Sequence, residues 1–109
     1  MAINFDALFK SATEQALTAA KGQAEALREY IQARAQLIAN GAVAIEADRA
    51  SGAIDDDDVK FAFAEIKATE ATAILAVDAT LKAAAQDAIN AVLGVVAAAI
   101  NQAIGVAVV

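Results

Sequence analysis

The chain contains no cysteine, histidine, tryptophan or proline, and only five of its 109 residues are glycine. Without cysteine there are no disulfides, no thiolate metal sites and no thiol nucleophile. Without histidine the Ser/His/Asp and Cys/His arrangements of nucleophilic catalysis are excluded as well. Aromatics are few, one tyrosine and four phenylalanines. Basic charge is also scarce: eight Lys+Arg stand against fourteen Asp+Glu, for a net charge of −6. A nucleic-acid binder needs a basic stripe to displace counterions, so no direct nucleic-acid contact is expected. There is no phosphate loop and no dinucleotide fingerprint. The run Asp55–Asp58 lacks the alternating ligands, the glycine and the distal glutamate of a calcium loop. The expectation is a non-enzymatic chain with no cofactor and no metal.

A basic leader is missing too. Met-Ala-Ile-Asn-Phe-Asp opens the sequence, and Asp6 and Lys10 interrupt any apolar run. No signal peptide is therefore predicted. The expected course is cytoplasmic synthesis, followed by packaging into a virion or assembled particle or by association with a membrane.

What is present is apolar and helical. The hydrophobic fraction is 60%, against 45–50% in ordinary soluble domains. Most of the excess is alanine, which loses no side-chain entropy in a helix. Leu17, Ala20, Ala24, Leu27, Ile31, Arg34, Ile38, Gly41 and Ile45 recur in steps of three and four, a helical seam with flaws at Arg34 and Gly41. Asn40-Gly41 is a stop signal that admits a kink or a break, but the helical run Ala42–Ala50 that follows favours a helix that resumes or never stops. A first helix is predicted over residues 4–50.

Ser51-Gly52-Ala53-Ile54 is the clearest punctuation. Asp55 is placed to cap the next helix, since its carboxylate reaches the amides two and three residues on. The next three aspartates then sit in the first turn, where the helix dipole favours negative charge. Ile54 and Val59 have the spacing of a hydrophobic staple. A second helix is predicted over residues 56–108, with Phe63, Ile66, Ala73, Val77, Leu81, Ala84, Ala88, Ala91 and Val95 as its seam. Lys60, Glu65, Lys67, Glu70, Asp78 and Lys82 mark its wetter side.

The predicted fold is all-α: one domain, residues 1–109, folded as a long antiparallel helical hairpin with its turn near 51–55. At 1.5 Å per residue each arm measures about 70 Å. Such a rod leaves at least half of each helix uncovered, more apolar area than a soluble monomer usually exposes. The hairpin is therefore expected to oligomerise through Ala84, Ala88, Val92, Val95, Val96, Ala98, Ile100 and Ile104. Rows of small residues, Ala12, Ala16, Ala20 and Ala24 and again Ala64, Ala68, Thr72, Ala76, Thr80, Ala84 and Ala88, would let backbones approach closely.

The expected function is that of a structural subunit assembling into a ring, tube or filament, as in a virion or an appendage. Its partners are copies of itself, with other structural subunits as further candidates. A second reading is a membrane-active channel or DNA-ejection type of protein. Ala88–Val109 carries no charge and is long enough to cross a hydrocarbon core of about 30 Å. It lacks the basic flank and aromatic belt of a membrane helix. A third reading is a helical adaptor or chaperone. Arg34 has two readings, an edge residue that snorkels to solvent or a register-setting group paired with an acid across the interface, the former being preferred.

Overall fold

The computed structural model describes residues 2–109. Within them the chain forms four α-helices: α1 Phe5–Ala19, α2 Ala24–Ala50, α3 Asp56–Ala73 and α4 Lys82–Ile104. Single 3₁₀ turns occupy Lys21–Gln23 and Ile74–Ala76. No strand occurs among the described residues.

Local chemistry sets most of the ends. Asn4 caps α1, its side chain accepting from the Ala7 N–H at 2.9 Å. Asp55 caps α3 as the sequence predicts, and Asp58 returns the bond: the Asp58 N–H donates to Asp55 Oδ1 at 2.9 Å and the Asp55 N–H to Asp58 Oδ2 at 3.1 Å. This reciprocal capping satisfies two amides that the helix itself leaves without partners. Val59 is fully buried and Ile54 half-buried against the same core, as a staple requires. Arg49 closes the turn from the other side, bonding Asp56 at 2.7 Å. α2 continues through Asn40-Gly41. A Cβ on Gly41 would stand 3.0 Å from Ile66 Cδ1, so this glycine admits α3 to close approach.

The two unbroken arms do not form. The first is interrupted at Lys21–Gln23 and the second between Val77 and Leu81, so the extended hairpin becomes four shorter helices. At the first break Lys21 adopts φ = 54°, a left-handed conformation that costs a side-chain-bearing residue about 1–2 kcal/mol. At the second, Val77 is extended and the Asp78 carboxylate accepts from both the N–H (2.8 Å) and the hydroxyl (2.7 Å) of Thr80. Asp78 and Lys82, read from the sequence as a pair on one helix face, are thereby separated: Asp78 forms the turn and Lys82 reaches the Leu75 carbonyl. The last helix also stops short of residue 108. Gly105 takes φ = 93° and the tail turns back, so that Val108 joins the core.

The breaks are favoured because they let the chain cover itself. α2 is central and packs against α1, α3 and α4, while α1 and α4 share the most extensive contact. Arg34 meets Glu70 and Arg49 meets Asp56, so α2 and α3 run antiparallel. Ile3 meets Glu46, which places the start of α1 at the far end of α2. Leu27, Ile31, Ile38, Ile89, Val92, Val96 and Ile100 are almost completely buried. Each such side chain contributes about 1.5–3 kcal/mol when removed from water, so a few of them outweigh the strain at Lys21. The result is 43 × 24 × 19 Å, with an accessible area of 5976 Å². A compact monomer of this mass, 11.1 kDa, is expected to expose about 5,700 Å². The total area is therefore close to that of a compact monomer rather than that of an open rod.

The capped start of α3 predicts an acid response. The backbone N–H of Asp58, the largest influence, holds the exposed Asp55 carboxyl below its ordinary pKa, helped by the Asp58 side chain and Arg49. A carboxylate with a depressed folded-state pKa stabilises the fold above its unfolded value of about 4, and that contribution is lost as the pH falls through the folded value. Asp55→Ala should therefore lower the melting temperature at neutral pH, and its difference from the parent should shrink in melts below pH 4. A constant difference across that range would contradict the assignment.

Candidate functional site

The residues expected to contact other copies are mostly core. Ala88, Val92, Val96 and Ile100 are buried inside the single chain, and Ala84, Val95 and Ile104 are half-buried. Ala98 alone of the eight is exposed. The α4 stripe therefore faces α1 and α2, and in this fold its buried members have no surface to offer another molecule. The two rows of small residues also separate. Ala12, Ala16 and Ala20 are buried and Ala24 is half-buried, whereas Ala64, Ala68, Thr72, Ala76 and Thr80 face solvent and only the end of that row turns inward, Ala84 half-buried and Ala88 buried.

Between α2 and α3 lies a strongly polar cluster. Arg34 Nε donates to Glu70 Oε1 at 2.8 Å and Nη2 to Oε2 at 2.6 Å, a bidentate pair. Glu70 is 3% exposed, which corrects its placement on the wet side. Arg34 takes the role of register-setting group rather than edge residue. Its hydrogen bond to Glu70 raises its pKa further above the ordinary value. Tyr30, half-buried beside them, is shifted upward by burial first and by the Glu70 carboxylate second, with Arg34 opposing. Its hydroxyl is buried and makes no hydrogen bond. A one-turn shift of α3 along α2 would strand both charges, so this pair fixes the register.

Two further polar anchors hold the ends. Glu46, 7% exposed, accepts the Ile3 N–H at 3.1 Å and ties the start of the chain to α2. Asn101 pins the tail, its Oδ1 accepting from the Val108 and Val109 N–H groups and its Nδ2 donating to the Val109 carbonyl, all within 2.8–2.9 Å. Asn101, a polar residue within the charge-free stretch Ala88–Val109, is thus a structural clasp.

Open grooves mark the surface. The first lies between α1 and α4 and has a volume of about 370 Å³, bordered by Ile3, Leu8, Val95 and Ala99 with Asn4 and Gln102 at its rim. Another, of about 310 Å³, runs between α2 and α3 past Leu37, Ile38, Ile66 and the Arg34–Glu70 pair. Among the described residues no group of three or more Asp or Glu side chains is arranged to hold a metal. The large exposed apolar residues are Leu37, Phe61, Leu75 and Val106. The first three belong to α2, α3 and the turn that follows α3. α3 rests on α2 alone among the other long helices in any extensive contact, so its outer face is uncovered. α4 is long and apolar enough to cross a membrane, a property that the core helix of a soluble bundle shares. Comparison with protein-family models, with curated proteins and with solved structures finds no match.

The ion pair predicts a double-mutant result. Arg34→Met strands a buried carboxylate and should cost about 3 kcal/mol or more of unfolding free energy. Arg34→Met/Glu70→Leu should recover most of that loss, because two apolar side chains replace both charges. Urea melts of the four combinations measure the coupling; additive losses would show that the pair does not hold α3 in place.

Proposed function

We propose that this chain is a non-enzymatic helical subunit that associates with copies of itself through the outer face of α3 and the adjoining surface of α2. The observation that carries the reading is the exposure of Phe61 (67%), Leu75 (68%) and Leu37 (56%) on that one half of the bundle. Large side chains normally contribute their burial free energy to the fold, and here three of them contribute little. Ala64, Ala68 and Thr72 on the same helix are short enough for another helix to come close.

Charge supports a like partner. Between Val59 and Ala73 the exposed charges are Lys60, Glu65 and Lys67, Glu70 being buried against Arg34, so two copies can meet here without the repulsion between carboxylates that the net charge of −6 implies elsewhere. A two-fold contact needs such a self-complementary patch. Assembly into a ring, tube or filament would require a second contact surface in addition.

Sedimentation tests the reading. The parent should associate in a concentration-dependent way, and Leu37→Asp and Phe61→Asp should each weaken association by about tenfold or more, the effect of losing one anchoring side chain, while helix content stays unchanged. A parent that sediments as a monomer at several hundred micromolar overturns it.

The apolar α4 favours a second reading, contact with lipid. Flotation with anionic vesicles, at neutral and at acid pH, separates the two: a chain that floats and leaks dye from the vesicles is membrane-active, and one that stays in the pellet is not.

A further inference from the structure

From the two helix breaks we infer that this chain can pair with a second copy by exchanging halves: the α1–α4 pair of each molecule swings out and packs on α2 of the other. The inference rests on the reading of the chain as a self-associating subunit and specifies a route for it.

Neither break changes the phase of the buried stripe. Ala16, Ala20, Ala24, Leu27 and Ile31 are three or four residues apart across Lys21–Gln23, and all are buried or half-buried. Glu70, Ile74, Val77, Leu81 and Ala85 do the same across the second break. A connection that only joined two helices would have no need to keep such spacing. An uninterrupted helix would, because the same residues would still lie on one face. The sequence is therefore compatible both with two broken arms and with two continuous ones, Phe5–Ala50 and Asp56–Ile104.

The geometry permits passage between them. α2 and α3 run antiparallel, so the start of α2 and the end of α3, where the breaks lie, are at the same end of the molecule. Straightening both breaks together retains the α1–α4 and α2–α3 contacts and parts only α1 and α4 from α2. A second copy, opened in the same way, restores those contacts with the same residues and closes the pair by two-fold symmetry. No new surface is required.

Strain favours the open form locally. Lys21 leaves its left-handed conformation (φ = 54°) when the helix becomes continuous. Short strained connections invite this kind of exchange. Opposing it are Gly22, a poor helix former, and the Asp78–Thr80 bonds that hold the second turn. A lone opened chain would expose the stripes of α1, α2 and α4, so only the dimer is stable.

The test uses the full chain, concentrated, held near its melting midpoint and cooled, then examined by sedimentation and small-angle scattering. Exchange gives a dimer about 70 Å long, the length of a continuous arm, against 43 Å for the monomer. Gly22→Ala/Asp78→Ala removes what stops the helices. It should raise the dimer association constant at least about tenfold, since alanine is favoured over glycine by about 1 kcal/mol in each copy. Lys21→Gly, which relieves the strain without favouring a continuous helix, should lower it. Phe61→Asp should leave the elongated dimer intact. The inference is overturned if the dimer is compact and lost on Phe61→Asp, which would leave surface association standing. It is also overturned if Gly22→Ala/Asp78→Ala keeps its helix content yet stays monomeric. If that variant loses its helices, equal dimer formation by Lys21→Gly and the parent overturns it instead. Absence of any dimer removes this route and self-association together.

Discussion

A helix can hide one stripe of its surface against each neighbour, and in this chain the stripe is built largely from alanine with an occasional Leu, Ile or Val. Alanine contributes little area, so the larger residues must converge for burial to outweigh the entropy of ordering the chain. They converge on α2. Leu27, Ile31 and Ile38 from α2 and Ile89, Val92, Val96 and Ile100 from α4 form a common core, with Ala12 and Ala16 of α1 lying close because nothing longer stands between the backbones. Everything else follows from covering α2 on more than one side. Two extended arms would cover it with α3 and leave the rest of its circumference to water.

Polar groups then decide the details that apolar contact leaves open. Oily stripes of similar residues slide past one another at small cost. The Arg34–Glu70 pair does not slide, because a shifted register would bury each charge alone. Asn101 and Glu46 serve at the chain ends as Arg34 serves in the middle, each satisfying backbone or side-chain groups that the helices leave without partners. The buried polar residues thus set register and closure, whereas the apolar ones set compactness.

The proposed self-association and the proposed exchange rest on different physics, the uncovered outer face of α3 and the two phase-preserving breaks. The first concerns surface that the bundle leaves exposed. The second concerns core contacts that could be made between molecules as well as within one. The net negative charge, concentrated in part on the acidic start of α3, disfavours indiscriminate association.

Helical class, the turn at residues 51–55 and the Asp55 cap were all legible in the sequence, because each depends on groups within a few residues of one another, whereas Asn40-Gly41 left open whether the first helix breaks there. The continuity of the two arms was not legible. The apolar period runs through Lys21–Gln23 and Val77–Leu81 without a shift, and the local signs of interruption, Gly22 and the Asp78-x-Thr80 turn, are weak beside it. Whether a helix breaks there depends on the free energy of burying Val92, Val96 and Ile100 against α2, residues far away in sequence. The same distance concealed the roles of Glu70 and Asn101, whose partners lie on another helix or in the tail. Local hydrogen bonding and propensity determined where helices start and that they form. Only tertiary packing decided that the rod folds back on itself, since the gain lies in contacts that no short stretch of sequence contains.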